Sequence, residues 1–180
     1  MRSKFLLLLL FWVPSLHAED TKLARDGVEV YVSARTAEQI HAFYGARGMP
    51  PDALQELANT CFLTIGLKNR RAETLWLEPS RWRLIDGNDK PIKRISRQEW
   101  KARWDALRVP LAAQSTFGWS QLPESRDLYP EETVGGNISL LPPDGRFTLI
   151  ASFRTGSSGG GKMLELIIPN LSCSRLGENP

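Results

Sequence analysis

About seven short strand-like runs separated by turn signals predict a mainly β chain, read as an immunoglobulin-like antiparallel β-sandwich. Two further observations shape that reading. A Leu-rich N-terminus marks the chain as exported, and its only two cysteines, Cys61 and Cys173, stand at the start of the most regular strand and just past the last strand-like run. Two helical stretches interrupt the β pattern, a two-helix insertion (36–59) and a short helix (97–107).

The N-terminus opens with Arg2 and Lys4, runs uncharged from Phe5 to Val13 and ends on Ala18. This is the layout of a signal peptide (1–18), too short to span a bilayer, which takes about 20 residues. The expected mature chain, 19–180, is a single domain that is periplasmic or secreted, with no transmembrane segment. The full chain carries 23 Lys+Arg against 20 Asp+Glu, and losing Arg2 and Lys4 leaves 21 against 20. The alkaline balance therefore belongs largely to the signal, and no nucleic-acid partner is expected. Of the two histidines only His41 would remain, so a metal site of the His/Met kind is not expected. No cofactor is expected either. In an oxidising compartment the two cysteines are expected to pair as a disulfide, and no Cys-x-x-Cys spacing points to redox work.

Asp26-Gly27 opens a strand at 28–33 whose valines share a face. Arg35 to Gly48 then changes period: Ile40, Phe43 and Tyr44 fall at helical spacing, with Thr36 and Gln39 forming a capping box. Gly48-Met49-Pro50-Pro51 ends that helix, and a second follows with Leu54, Leu57 and Ala58 inward. The organising strand is Cys61–Asn69. Cys61, Leu63, Ile65 and Leu67 alternate with Phe62, Thr64, Gly66 and Lys68, the pattern of a half-buried strand.

Strands are also expected at 74–77 and 81–85, the latter turning at Asp86-Gly87-Asn88-Asp89 into 91–95. Ser96 with Glu99 caps the helix that carries Trp100, Trp104 and Leu107. Residues 109–134 show no regular period and are expected to be an irregular segment pinned down by Phe117, Trp119, Leu122, Leu128 and Tyr129. Strands at 137–141, 147–153 and 163–168 complete the sandwich. Trp76 or Trp82 is expected near the disulfide.

Three motifs bear on function. Gly156 to Lys162 matches the front of a phosphate-binding loop, but Met163 replaces the magnesium-reaching hydroxyl and a β-type run follows, so it reads as a hairpin loop. Residues 81–108 carry nine basic side chains against four acidic ones. Arg81, Arg83, Lys93, Arg94, Arg97 and Lys101 form a candidate face for an anionic partner such as a headgroup or an acidic protein loop. Glu124, Asp127, Glu131 and Glu132 lack the alternation of a calcium loop and are expected to pair with that basic stretch. No catalytic set is assigned. His41 lacks a positioned partner, and the tryptophans read mostly as core. Asn137-Ile-Ser139 and Asn170-Leu-Ser172 match the glycosylation sequon.

In the run Cys61-Phe-Leu-Thr-Ile-Gly-Leu-Lys-Asn69, in Gly135-Gly-Asn-Ile-Ser-Leu140, in 147–153 and in Leu171-Ser-Cys173, the chain resembles secreted bacterial proteins with an immunoglobulin-like sandwich. The resemblance implies export and the fold, and brings no catalytic residue. The expected function is a non-catalytic envelope module that binds or scaffolds a partner, either an envelope protein or an anionic surface. The alternative is an envelope hydrolase or carbohydrate-binding protein using the tryptophans with His41 or the acids of 124–132.

Overall fold

The computed structural model describes residues 20–173. The expected signal peptide, 1–18, lies outside the described residues. In chain order the elements are β1 (Thr21–Arg25), β2 (Val28–Ala34), α1 (Ala37–Ile40), α2 (Pro51–Ala58), β3 (Cys61–Asn69), β4 (Leu75–Leu77), β5 (Arg83–Asp86), β6 (Arg94–Ile95), α3 (Arg97–Ala106), α4 (Leu111–Ser120), β7 (Arg126–Leu128), β8 (Thr133–Leu140), β9 (Phe147–Thr155) and β10 (Leu164–Leu171). A π-helical turn, His41–Gly45, continues α1.

The fold is mainly β, with two antiparallel sheets of five strands. The first has the order β1-β2-β3-β8-β6. The second runs β10-β9-β4-β7, and β5 also pairs with β9. Leu75–Leu77 pair with Phe153–Thr155, and Arg83–Asp86 with Phe147–Ile150. Strands β4 and β5 thus lie end to end along β9, separated by a short 3-10 turn at Pro79–Arg81. Proline lacks the ladder N–H, which is why the strand breaks there.

Two cores result. Between the sheets lie Val28, Val30 and Val32 of β2, Leu63, Ile65 and Leu67 of β3, Leu149, Ala151 and Phe153 of β9, and Leu166 and Ile168 of β10. The outer face of the first sheet carries a second core made with the helices: Ile40, Tyr44, Leu57, Phe62, Trp100, Trp104 and Phe117. Trp100 and Trp104 stack at 4.6 Å, and Phe117 meets both edge-on at 5.4 and 5.2 Å. The Trp100 indole N–H donates to Ser139 Oγ at 2.5 Å, fastening α3 to β8. The architecture therefore has three layers, helices over sheet over sheet.

The Cys61–Cys173 disulfide forms as expected, with a Cα separation of 5.3 Å. Both capping boxes expected at Thr36/Gln39 and Ser96/Glu99 are present.

Elsewhere the structure corrects the expectations. Strand β1 was not anticipated: Thr-Lys-Leu-Ala-Arg does not alternate, yet it pairs with β2 through the two-residue turn Asp26-Gly27, with φ of 51° and 74°. Segment 109–134 is not irregular but holds α4 and β7. Strand β8 begins at Thr133 and runs through Gly135-Gly136, and β10 passes Pro169 with a register shift before Leu171. The return after the hairpin is short: only Arg94–Ile95 form a strand, while Ile92 N–H reaches Leu84 O at 2.8 Å. Trp82 packs on Phe153 in the sandwich core, whereas Trp76 donates to Gly156 O at the β9–β10 hairpin.

One glycine decides how the helical layer sits. The chain leaving α4 crosses β8 so that Gln121 bridges Asn137 and Leu122 N–H donates to Asn137 O at 2.9 Å. A Cβ on Gly136 would lie 2.6 Å from Leu122 Cα and 2.7 Å from the Gln121 carbonyl carbon. Only glycine permits that approach.

Candidate functional site

The six basic residues singled out from the sequence occupy two regions. Arg81 ends the 3-10 turn between β4 and β5 and pairs with Glu78, and Arg83 opens β5, 3.6 Å from Glu165. Lys93, Arg94, Arg97 and Lys101 gather around β6 and α3. Lys93 pairs with Glu99 at 2.5 Å, and Arg94 grips Glu124 with two hydrogen bonds of 2.9 and 2.6 Å. Arg97 donates to the carbonyls of Gln121 and Leu122, and Lys101 pairs with Asp105 four residues on. The expected pairing of acids with the basic stretch thus occurs at Arg94–Glu124. Glu131 instead pairs with Arg70 and Lys68, while Glu132 accepts the Tyr129 N–H.

Beside Arg97 and Lys101 lies a feature the sequence did not announce. Helix α4, Leu-Ala-Ala-Gln-Ser-Thr-Phe-Gly-Trp-Ser, contains no charged residue. It buries Ala113 and Phe117, one helical turn apart, and turns Leu111, Ser115 and Trp119 outward. Trp119 is 90% exposed and Leu111 78%. A large exposed apolar side chain is unremarkable alone, but two on one uncharged helix face form a patch of the kind that marks interaction sites. Between α3 and α4 runs a groove of about 240 Å³ with Trp100 and Trp104 below and Arg97, Lys101 and Leu111 at its rim. Arg108, in the turn between α3 and α4, is exposed with φ 53°.

A larger cleft, about 620 Å³, opens where α1 and the π-helical turn meet the outer face of the first sheet. Its walls include Ile40, Phe43, Phe62 and Tyr44, and its polar corner holds Arg35, Thr64 and Asn137. Strand alternation produces this corner: Arg35 follows Ser33 on the outer face of β2, and Thr64 and Asn137 face each other across β3 and β8.

The hydrogen bonds form one chain. Arg35 Nε donates to Thr64 Oγ1 at 2.7 Å, and Thr64 Oγ1 donates to Asn137 Oδ1 at 2.7 Å. Asn137 Nδ2 donates to Ser120 O at 2.9 Å and to Tyr44 Oη at 3.3 Å. Ser120 Oγ donates to Phe117 O at 2.8 Å, which leaves the Tyr44 hydroxyl to donate to Ser120 Oγ at 2.6 Å. Burial pushes the Tyr44 phenol above its ordinary value, so it keeps that proton.

His41 is exposed on the π-helical turn. The tryptophans are distributed: Trp82 in the sandwich core, Trp100 and Trp104 in the helical core, Trp76 beside the β9–β10 hairpin and Trp119 at the surface. The structure does not bring His41, the acids of 124–132 and these tryptophans to one cavity. The Gly156–Gly161 loop is a hydrogen-bonded hairpin: Gly156 N–H meets Thr74 O and Gly161 N–H meets Thr155 O, and strand β10 follows it. Sequence reasoning missed both α4 and the cleft. The one local hint was Arg35, a charged residue just past β2 and two residues on from the buried Ser33.

No protein-family model matches the chain, and no curated protein matches it either. Among solved structures, the yjhA protein from Bacillus subtilis is similar with a TM-score of 0.48 at 12% identity, covering 86% of this chain and 99% of that one. The ycdA protein from Bacillus subtilis aligns with a TM-score of 0.45 at 13% identity, over 84% of this chain and 39% of that one.

Proposed function

We propose that this protein is a non-catalytic, exported module of the cell envelope that docks a protein partner on its helical layer. The observation that carries the proposal is the uncharged α4 face with Trp119 and Leu111 turned to solvent. Protein interfaces are depleted of charge at the centre and enriched in Trp, with polar and basic groups at the rim. Helix α4 supplies the centre, and Lys101 and Arg97 supply a basic rim that favours an acidic partner surface. Helices that lie on membranes carry Lys and Arg on their own polar face. Helix α4 has none, and this favours a protein over a bilayer.

Export is supported by the Cys61–Cys173 disulfide, a bond that persists in oxidising compartments. The immunoglobulin-like reading of the sandwich is supported by strand order. The successions β2-β3-β8-β6 and β10-β9-β4-β7 match A-B-E-D and G-F-C-C′, although β6 precedes β7 in the chain.

The test is photo-crosslinking of the full chain in its host, with benzoylphenylalanine replacing Leu111, followed by purification of the captured protein. Binding of that protein to the intact chain should weaken about 30-fold on Trp119→Ser, the loss expected for a central aromatic anchor. Undiminished binding, or no adduct at all, overturns the proposal. Sedimentation with phosphatidylglycerol vesicles that Trp119→Ser abolishes would replace the protein partner with a membrane.

A further inference from the structure

We infer that the cleft between the π-helical turn and the first sheet binds a small carboxylate with an apolar body. The inference concerns a different site from the α4 face and does not depend on it. Small-molecule sites are concave, of about 300–1,000 Å³, mostly apolar, with a few polar groups placed to fix orientation. This cleft has a volume of about 620 Å³, aromatic walls in Phe43 and Phe62, and one charged corner.

The argument turns on Arg35. Its backbone N–H donates to Phe62 O at 2.8 Å, which fixes its Cα at the cleft's edge. Its Nε is committed to Thr64 Oγ1, and the rest of the network behind it is closed. Asn137 gives its amide hydrogens to Ser120 O and Tyr44, and the hydroxyl protons of Thr64, Tyr44 and Ser120 all have acceptors. The donors left unused at the cleft are the Nη1 and Nη2 groups of Arg35 and, at the exposed rim, the Nε2 of Gln39, whose Oε1 accepts the Thr36 N–H; of these only the guanidinium carries charge. Among the described residues neither Nη group has an acceptor, and no carboxylate pairs with the guanidinium. Asp20 feels the Arg35 charge, but its carboxylate accepts from the side chains of Ser33 and Tyr31.

A half-buried guanidinium held by Nε presents its two Nη groups as a fork. That fork matches the two oxygens of a carboxylate. The walls then specify the remainder of the ligand. Phe43, Phe62 and Ile40 offer apolar surface, and the Arg47 guanidinium, which is not part of the lining, lies over the Phe43 ring at 3.8 Å. The fit is therefore a monocarboxylate bearing an aromatic or aliphatic group. A free metabolite or the C-terminal residue of a peptide could supply it, both presenting the same chemistry.

The experiment is a titration of the purified oxidised chain by ¹⁵N–¹H NMR with four probes. These are 3-phenylpropionate, N-acetylphenylalanine, and the primary amides of both acids. Acids should shift the Asn137 side-chain amide and the Arg35 Nε–H resonances and bind at least about tenfold tighter than their amides. Arg35→Gln should weaken acid binding at least about tenfold while the resonances of the sandwich core stay in place. Preference for N-acetylphenylalanine over 3-phenylpropionate would identify a peptide terminus as the source, and the reverse a free acid. Equal binding of acids and amides overturns the inference. So does undiminished binding to Arg35→Gln, a set of shifts centred on α3 and α4, or no shift with any probe up to its solubility limit.

Discussion

Replacing Gly136 with alanine tests how tightly the helical layer is seated on the first sheet. The added methyl would fall 2.6 Å from Leu122 Cα and 2.7 Å from the Gln121 carbonyl carbon, all backbone and none free to rotate away. Carbon atoms rest about 3.5–4.0 Å apart, so the crossing segment must lift by roughly 1 Å. That movement stretches the Leu122 N–H to Asn137 O bond from 2.9 Å beyond useful length. Overpacking costs about 1–3 kcal/mol and the lost hydrogen bond about 1 kcal/mol, giving about 2–4 kcal/mol in all. For a domain of this size each kcal/mol lowers Tm by about 2–4 °C, so a fall of roughly 5–15 °C is expected. Gly135→Ala is the control. Its Cβ would meet Ile65 O at 3.5 Å, an ordinary contact, and should cost under about 1 kcal/mol. Thermal and urea unfolding of the two variants decide the matter. Equal midpoints would refute the account of why α4 sits where it does.

Reduction, or Cys61→Ala with Cys173→Ala, should remove about 4–5 kcal/mol in the chain-entropy account, because the bridged residues are 112 apart. A urea midpoint unchanged by reductant would contradict this. Asn69 is fully buried, donates through Nδ2 to the carbonyls of Glu73 and Leu128 and accepts the Arg71 N–H. Asn69→Ala strands those groups and should cost about 2–3 kcal/mol, read by chemical denaturation. Glu99 is held down at about 2 by the Lys93 ammonium, then by the Ser96 N–H and hydroxyl. Its folded value lies below the unfolded one. Its contribution is therefore present above about 4.5 and lost as pH falls through about 2. Glu99→Gln should be less stable than the parent by about 0.5–1 kcal/mol near neutrality, a modest figure because Glu99 is 39% exposed. The gap should close across that acid window, and a gap constant with pH would refute the assignment.

Much of the sandwich is legible in the chain because its strands obey a rule of two. Cys61–Asn69 and 147–153 bury alternate residues against the opposing sheet, and alternation survives in the sequence whatever lies above the other face. The two capping boxes are legible for a similar reason, since their partners are three residues apart. Helix α4 is not. It starts at Pro110 without a side-chain cap, contains Gly118, and exposes Leu111 and Trp119 while burying Ala113 and Phe117. Apolar residues that face both inward and outward erase the 3.6-residue signal. Strand β1 was missed because Leu23 is its one apolar side chain packed on the core, too little for an alternating pattern, and its pairing follows from the Asp26-Gly27 turn. The Arg35 cleft was hidden because its parts come from residues 35, 44, 64, 120 and 137. No local pattern relates positions that far apart.

Strand β3 is hydrogen-bonded on both edges, to β2 and β8, and sends Leu63, Ile65 and Leu67 into one core and Phe62 into the other. Neither layer has a floor of its own: the helices rest on the strand that also lines the inter-sheet core. Loosening either side exposes the same backbone, so the two cores are coupled into one cooperative unit. The amides of β3 should exchange with solvent only through global opening, at the protein's full unfolding free energy. A reporter in the helices and one between the sheets should then register the same melting event.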